Sequence, residues 1–393
     1  MAREFSIPTF SRVVHGADTL AQLAQELDRA GITRPLIVTS NTLATTTDVI
    51  EQAVAAAGGR VAGIVHNIAS HVPREGVQLL VDRARDVGAD GFVALGGGTA
   101  IDATKAAAAC FAVNADIHLV VDTYRAQIVN GVRQIPDLPG TPLPIIALPT
   151  TLSGAEFTGV AGVTDTTRGV KDLLVSAALT PVTIMLDPAL TVHTPAVLWH
   201  ASGIRGVDHV VEGVYSKTHH PVADTALIGA LNIFAADLPR TSDDPTDLLA
   251  RERCQLAAMM ALMYLPNVGM GLSHGLGHQL GGGFGVIHGV TSCILLPHVM
   301  RYNRPVSAAR QALLAPALNV TPAGSDDETA EAVTNAVTAL IRHVDVPVRL
   351  RDVGVTPDSF GHIAEEALGD VVIAGNPRVP TFDDVVKILH DAF

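Results

Sequence analysis

Residues 91–105 read GFVALGGGTAIDATK. An apolar run of strand length ends in Gly96, Gly97 and Gly98, and a helix pattern begins at Thr99. A strand that turns through glycine into a helix lets its backbone approach a pyrophosphate, whose charge meets the unpaired N–H groups of the helix start. The spacing is not GxGxxG, and a tight turn alone would look the same. The flanking sequence decides the fold. Before it, DTLAQLAQELDRAG (18–31) reads as helix, PLIVTS (35–40) as strand, TTTDVIEQAVAAAG (45–58) as helix, RVAGIVHNI (60–68) as strand and REGVQLLVDRARDVGAD (74–90) as helix. After the glycines come a helix from AIDATKAAAACF (100–111), then DIHLVVD (116–122) and PIIALPTT (144–151), both read as strands. Short apolar strands alternating with longer helices predict a doubly wound α/β domain, its parallel sheet covered on both faces.

From about residue 190 the pattern changes. AVLWHASGIRGVDHVVEGVYS (196–216), VADTALIGALNIFAADL (222–238), LLARERCQLAAMMALMYL (248–265) and ETAEAVTNAVTALIRHV (328–344) predict an all-α second domain. TPAGSDDETAEAV (321–333) reads as a loop feeding a capped helix with acids at its positive end. The expected division is 1–185, an α/β domain, and 186–393, a helical domain.

A chain of 393 residues suggests two domains, and with 48% hydrophobic and 17% charged residues it should bury a large core or a subunit interface. The net charge of −13 argues against nucleic acid, whose phosphates are met by Lys and Arg. Cys110, Cys254 and Cys293 are few, odd in number and far apart, so a disulfide framework is not expected and a reducing cytoplasm fits. The start, MAREFSIPTF, has no apolar signal-peptide core. No Asp, Glu, Lys or Arg stands between Arg253 and Arg301, but Pro266, Asn267 and many glycines interrupt that run. It reads as buried helices rather than a membrane span.

That uncharged run carries SHGLGHQLGGGFGVIHG (273–289). His274 and His278 are one helical turn apart on one face, and His288 follows beyond a glycine break. Imidazoles in an apolar segment need a reason to be there; they serve as metal ligands, acids, bases or hydrogen-bond donors. The plainer reading is a set of core histidines bonded to main-chain carbonyls. A second polar loop at a strand end, ALPTTLSGAEFTGVAGVTD (147–165), strengthens the cofactor reading, since open α/β sheets bind ligands beyond the carboxyl ends of their strands. After PLIVTS, Ser40, Asn41 and Thr42 stand where a strictly NAD-dependent dehydrogenase carries an acid. Nothing there excludes a 2′-phosphate, so both NADH and NADPH are expected.

GGGTAIDATK, ALPTTLSGAEFTG, LDPALT, GIRGVDHVVEG and HGLGHQLGGGFGVIHGV with ILLPHVMRYN, in this order over nearly the whole chain, resemble the iron-containing alcohol dehydrogenase superfamily. LDPALTVHTP, LWHASGIRGVDHVVE, LRDVGVTPDSF and NPRVPTFDDVVKILHDAF are most similar to its maleylacetate reductase branch. The resemblance implies an α/β nucleotide domain, a helical domain and a site between them. It implies that Gly96, Gly97, Gly98 and Thr99 hold the pyrophosphate, that Asp102, Thr150, Thr151 and Leu152 line the cofactor cleft, that Lys171 approaches it, and that His278 sits by the nicotinamide. For Asp102 a helix-dipole role, and for Lys171 a solvated surface role, are equally open.

Metal-dependent members of that superfamily use one Asp and three His. Here the His positions are His209, His274 and His288, but the Asp position is Arg205. Asp208 points about 100° away from His209 around a helix, so a pocket without metal is expected, with a His209–His274–His288 site as the fallback. Arg205 would bind a substrate carboxylate or the developing enolate, unless it merely pairs with Asp208 or Glu212. One of His209, His274, His278 and His288 would polarise the ketone and help supply the proton. The resemblance implies NAD(P)H-dependent reduction of maleylacetate, or a similar unsaturated keto acid, to 3-oxoadipate in aromatic degradation, by a cytoplasmic homodimer. The alternatives are a metal-dependent alcohol or hydroxyacid dehydrogenase and a non-catalytic nucleotide-binding relative. GVRQIPDLPGTP (131–142), HTP (193–195) and GDVVIAGNP (369–377) depart from the branch and bear on the substrate.

Overall fold

The computed structural model describes residues 5, 7, 10–129 and 132–393. The leader reading of MAREFSIPTF falls mostly outside the described residues, as does Gly131 of the 131–142 loop. The chain divides into two compact units, Pro8–Thr194, and Pro195–Phe393 together with Met1–Ile7.

The first unit holds strands β1 (Arg12–His15), β2 (Pro35–Val38), β3 (Gly63–Val65), β4 (Gly91–Gly96), β5 (Gln127–Val129), β6 (Val132–Gln134), β7 (Ile145–Pro149), β8 (Val160–Asp165), β9 (Val170–Val175) and β10 (Thr183–Leu186). Its helices are α1 (Leu23–Ala30), α2 (Asn41–Thr46), α3 (Val49–Ala56), α4 (Arg74–Asp86), α5 (Gly98–Val113), α6 (Ile117–Tyr124) and α7 (Pro188–Thr191). Six strands form one parallel sheet in the order β1-β10-β7-β4-β2-β3, and β5–β6 and β8–β9 are antiparallel hairpins outside it. Neighbouring side chains leave a strand on opposite faces. Leu36, Phe92 and Ile145 pack in the core on one face, while Ile37, Val93 and Ile146, the next residues, pack on the other. Helices cover both faces, which is why these strands are apolar without alternation.

Two expectations are corrected here. DIHLVVD is helix α6, not a strand: the Asp116 carboxylate accepts the Leu119 N–H at 2.8 Å as N-cap, and Ile117, Val120 and Val121 are buried at helical spacing. The expected boundary at 185/186 moves to 194/195, because the residues after β10 still belong to the α/β unit. The Asp187 carboxylate accepts the Leu20 N–H, Leu190 packs in the sheet's core, and Thr194 Oγ1 donates to the Thr150 carbonyl.

The second unit contains α8 (Ala196–Tyr215), α9 (Pro221–Asp243), α10 (Leu248–Leu262), α11 (Leu272–Phe284), α12 (His288–Ala312), α13 (Asp326–His343), α14 (Phe360–Gly369) and α15 (Phe382–Asp391). Ser325 caps α13, whose first turn is Asp326, Asp327 and Glu328. The ring of Phe5 packs on His220 and Tyr264, which ties the N-terminus to this unit. Gly289 lets α12 approach α8 closely: a Cβ there would lie 2.3 Å from the Ala201 carbonyl oxygen. By length and composition α9 could cross a membrane. Instead it packs on α8 and α10, with Asp224 paired to Arg310 and Asp237 to Arg253. The uncharged run of the sequence becomes the end of α10, all of α11 and the start of α12.

Candidate active site

In the α/β unit three strand ends converge. β4 pairs with β7 in register to Gly96↔Pro149, and the Thr150 N–H donates to the Gly96 carbonyl at 3.0 Å. The glycine turn therefore lies beside Thr150, Thr151 and Leu152. Gly96 has φ +151°, a conformation that favours glycine, and a Cβ there would also approach the Ser40 N–H after β2, at 3.9 Å. A Cβ at Gly97 would stand 3.0 Å from Thr151 Cγ2, and one at Gly98 3.2 Å from Ser153 Oγ. Ser40 caps α2 and Gly97 precedes α5, so two helix N-termini open at the same sheet edge. Thr99 follows in the first turn of α5.

Asp102 and Lys171 are drawn in from the side. Asp102 Oδ2 accepts the Gly162 N–H at 3.2 Å, and Lys171, on β9 opposite Thr164, lies across Gly162 with no room there for a Cβ. Lys105, which sequence reading passed over, is fully buried on α5 and donates from Nζ to the carbonyls of Ala155 and Val160, at 2.5 and 2.8 Å. It clamps the 150–162 segment to the helix of the glycine turn. Apart from His278, which belongs to the helical unit, every residue expected at the cofactor lies around this one sheet edge or the adjoining hairpin.

In the helical unit α8, α11 and α12 bring the other candidates together. On α8, Arg205 and Asp208 form a 3.5 Å contact from Nη1 to Oδ2, and the same Nη1 donates to Ser292 Oγ at 3.0 Å. The pairing with Asp208 that sequence reading held against a catalytic Arg205 is therefore present. A Cβ at Gly277 would stand 2.7 Å from Thr291 Oγ1 and 3.6 Å from Arg205 Nη1, so Thr291 of α12 fills the notch that Gly277 leaves between His274 and His278, and the guanidinium lies beside it. The four histidines form two pairs: His209 and His274 with ring centres 4.8 Å apart, and His278 and His288 at 6.1 Å.

Carboxylates organise the α11 histidines. His274 Nδ1 bonds Glu212 Oε2 at 2.8 Å and His278 Nδ1 bonds Asp370 Oδ2 at 2.7 Å. Glu212 also accepts the N–H groups of Gly271 and Ser273 at 2.7 and 2.8 Å, so it caps α11 while holding its first histidine. Asp208 accepts from Ser273 Oγ and Ser292 Oγ at 2.8 and 2.6 Å. Burial pushes the carboxyls of Asp208 and Glu212 above their ordinary range and holds His209 and His274 well below theirs, as neutral rings. Sequence reading had Glu212 and Asp208 only as partners for Arg205. The signal that could have found them is two acids one turn apart in an otherwise apolar helix. Asp370 left no local signal.

Asp208, Glu212 and His274 each offer a ligand atom within 4.8 Å of the others, all buried. Whether they suit a divalent ion can be judged from unmet polarity. Asp208 Oδ1 and His274 Nε2 are buried without a hydrogen-bond partner among the described residues, and Arg205 contacts Asp208 while Glu212 acts on it through its charge alone. Carboxylate and imidazole donors suit zinc, iron or manganese. The residues fit such an ion. His209 and His288, the other members of the expected fallback set, are not in this group.

Comparison with known proteins gives the context. The profile described as "Iron-containing alcohol dehydrogenase" matches residues 10–188, and "Fe-containing alcohol dehydrogenase family, C-terminal" matches 200–393. The chain is 32% identical to lactaldehyde reductase of Escherichia coli (strain K12), over 96% of this chain and 97% of the relative. It is 31% identical to maleylacetate reductase 1 of Cupriavidus pinatubonensis, over 100% and 98%. A crystal structure of 1,3-propanediol oxidoreductase superposes with TM-score 0.91 at 28% identity, covering 100% of both chains. The expected resemblance to this superfamily and its maleylacetate reductase branch is thus matched over the full length. The expectation of a pocket without metal is overturned, because the matching family is iron-containing and Asp208, Glu212 and His274 are grouped for an ion. That expectation took His209 as the reference ligand and judged Asp208 by its direction from it; the group is built instead on His274, to which Glu212 bonds at 2.8 Å.

Proposed function

Because the chain belongs to the iron-containing alcohol dehydrogenase family, in which it is an oxidoreductase, we propose that it uses NADH or NADPH to reduce maleylacetate or a similar unsaturated keto acid. The observation that carries this reading is the Arg205 guanidinium, only 12% exposed, held by Ser292 and Asp208 beside the α11 turn that carries His274 and His278. A fixed guanidinium suits a carboxylate, and a charge-assisted bond is strong where water is excluded. Full-length similarity to a maleylacetate reductase supports the same substrate class.

The glycine turn, Ser40, Thr99, Asp102, Thr150, Thr151, Leu152 and Lys171 would hold the dinucleotide. Hydride from the nicotinamide goes to the alkene carbon β to the ketone, and the resulting enolate takes a proton at the carbon between, giving 3-oxoadipate. Arg205 binds a substrate carboxylate or steadies the enolate. One of His209, His274, His278 and His288 polarises the ketone and helps supply the proton. Asp208, Glu212 and His274 are the residues that would hold a divalent ion, whose chemistry when bound is that of a Lewis acid toward the carbonyl oxygen. We place the protein in the cytoplasm as a homodimer with no nucleic-acid or membrane partner.

The test is oxidation of NADH and of NADPH with maleylacetate and with lactaldehyde, on chelator-treated and on metal-reloaded protein. The expected result is higher kcat/KM for maleylacetate than for lactaldehyde, with turnover from both cofactors. Turnover of the aldehyde without turnover of maleylacetate would replace this reading with a second one, metal-assisted reduction of a small aldehyde. The Asp208–Glu212–His274 group and the similarity to lactaldehyde reductase favour that second reading.

A further inference from the structure

We infer that Asp370 is a positioning residue that sets the tautomer and ring orientation of His278. The inference rests on the reading above only in giving His278 a place in the chemistry. Its geometric part stands alone. His278 and Asp370 are far apart in sequence, and their Nδ1 and Oδ2 atoms are 2.7 Å apart. An aspartate divides its two oxygens here: Oδ1 accepts the Val372 N–H at 2.9 Å, and Oδ2 meets the imidazole. An ionised carboxylate only accepts, so Nδ1 carries a proton, and in the tautomer this selects Nε2 is the nitrogen with the lone pair. Burial opposes the charge on Asp370, yet the bonds from His278 and Val372 hold its carboxyl below the ordinary range.

The segment carrying Asp370 is fixed to the helix that carries His278. A Cβ at Gly275 would come within 2.3 Å of Ile373 Cγ2, so Ile373 is seated on α11 in the gap that glycine leaves, one turn from His278. At its end the segment is tied by Asn376, which exchanges two 2.9 Å amide bonds with Asn303 of α12 and accepts the Leu272 N–H at 3.2 Å. These contacts order the 370–376 turn before any ligand arrives. His278 is itself 40% exposed at its side chain and Asp370 16%, so the pair is reachable while its carboxylate is sheltered. The two α11 histidines thereby share one device: each has Nδ1 held by a carboxylate from another element, Glu212 for His274 and Asp370 for His278. A histidine so held is fixed in tautomer and orientation.

The test compares Asp370→Asn, Asp370→Glu and Ile373→Ala in the full-length protein. In Asp370→Asn the Val372 N–H keeps the single amide oxygen, so the NH₂ group faces Nδ1 and the ring must carry its proton on Nε2. Nitrogen-15 spectra of labelled histidine should report that change of tautomer, and Asp370→Glu should restore Nδ1–H. With whichever carbonyl substrate the wild type turns over, kcat should fall about 10- to 100-fold in Asp370→Asn, recover in part in Asp370→Glu, and leave KM for NADH within about twofold. Ile373→Ala loosens the turn without touching the carboxylate and should retain Nδ1–H. Retention of Nδ1–H in Asp370→Asn would overturn the inference. So would an unchanged kcat, or identical effects of Asp370→Asn and Ile373→Ala. Failure to turn over maleylacetate would count against the proposed substrate and leave the tautomer result standing.

Discussion

Glu156 ties the pH dependence of stability to the glycine turn. It is 1% exposed, its Oε2 has no partner among the described residues, and burial pushes its carboxyl up to about 7. Lys105 pulls the other way but spends its Nζ on two main-chain carbonyls. Between about 4.5 and 7 the folded protein keeps a proton on Glu156 that the unfolded chain has already released. Stability must therefore fall as pH rises through that window. At about 1.4 kcal/mol per pH unit the loss across it is about 3 kcal/mol. Glu156→Gln mimics the protonated acid and should abolish this dependence. Urea unfolding of wild type and Glu156→Gln, measured in steps from pH 5 to pH 8, should give stabilities that are close at the acid end. They should separate by about 3 kcal/mol in favour of the variant at the alkaline end, the difference cancelling groups common to both proteins. A difference between the two that does not change with pH would refute the reasoning.

Other perturbations probe other parts. Gly98→Ala puts a methyl 3.2 Å from Ser153 Oγ, where the backbone should meet phosphate, so NADH dissociation by fluorescence titration should weaken at least about tenfold while the fold's circular dichroism is kept. Gly289→Ala forces a Cβ to 2.3 Å from the Ala201 carbonyl, a backbone atom that cannot swing aside; a loss of about 1–3 kcal/mol should lower Tm by several degrees. Arg205→Ala should lower kcat/KM for maleylacetate by about 100-fold, the worth of a bond between charged groups. Steady-state rates equal to the wild type would remove Arg205 from the chemistry.

What was legible in the sequence was local. Strand and helix alternation gave the parallel sheet, because both patterns are written in neighbouring residues such as Phe92 and Val93, which pack on opposite faces. The i,i+4 pair His274 and His278 was readable for the same reason. DIHLVVD misled because a short run with apolar Ile117, Leu119, Val120 and Val121 fits strand and short helix alike, and the Asp116 cap decided between them. The carboxylates that give the histidines their state were not readable. Glu212 precedes His274 by 62 residues and Asp370 follows His278 by 92, and only folding brings each pair within 2.8 Å. Lys105 was hidden differently: its partners are main-chain carbonyls, which carry no side-chain signal.

The same distinction explains why Arg205 was a poor guide to metal. A guanidinium about 4 Å from a divalent ion opposes it by about 8 kcal/mol at an effective dielectric near 20. A carboxylate at a like distance favours it by the same amount, and the fold sets two, Asp208 and Glu212, against that one cation. Attraction therefore exceeds repulsion, and His274 adds a neutral donor. Chelator-stripped protein titrated with Zn²⁺ in a calorimeter should take up one ion per chain. Asp208→Asn removes one carboxylate and should abolish that uptake, whereas Arg205→Ala removes the repulsion and should tighten it at least about tenfold. Loss of maleylacetate turnover with gain of metal in the same Arg205→Ala protein would separate the arginine's duty to substrate from its charge effect on the site. Uptake by neither wild type nor Arg205→Ala would mean that the hydroxyls of Ser273 and Ser292 already satisfy Asp208, and the N–H groups of Gly271 and Ser273 with the His274 ring already satisfy Glu212.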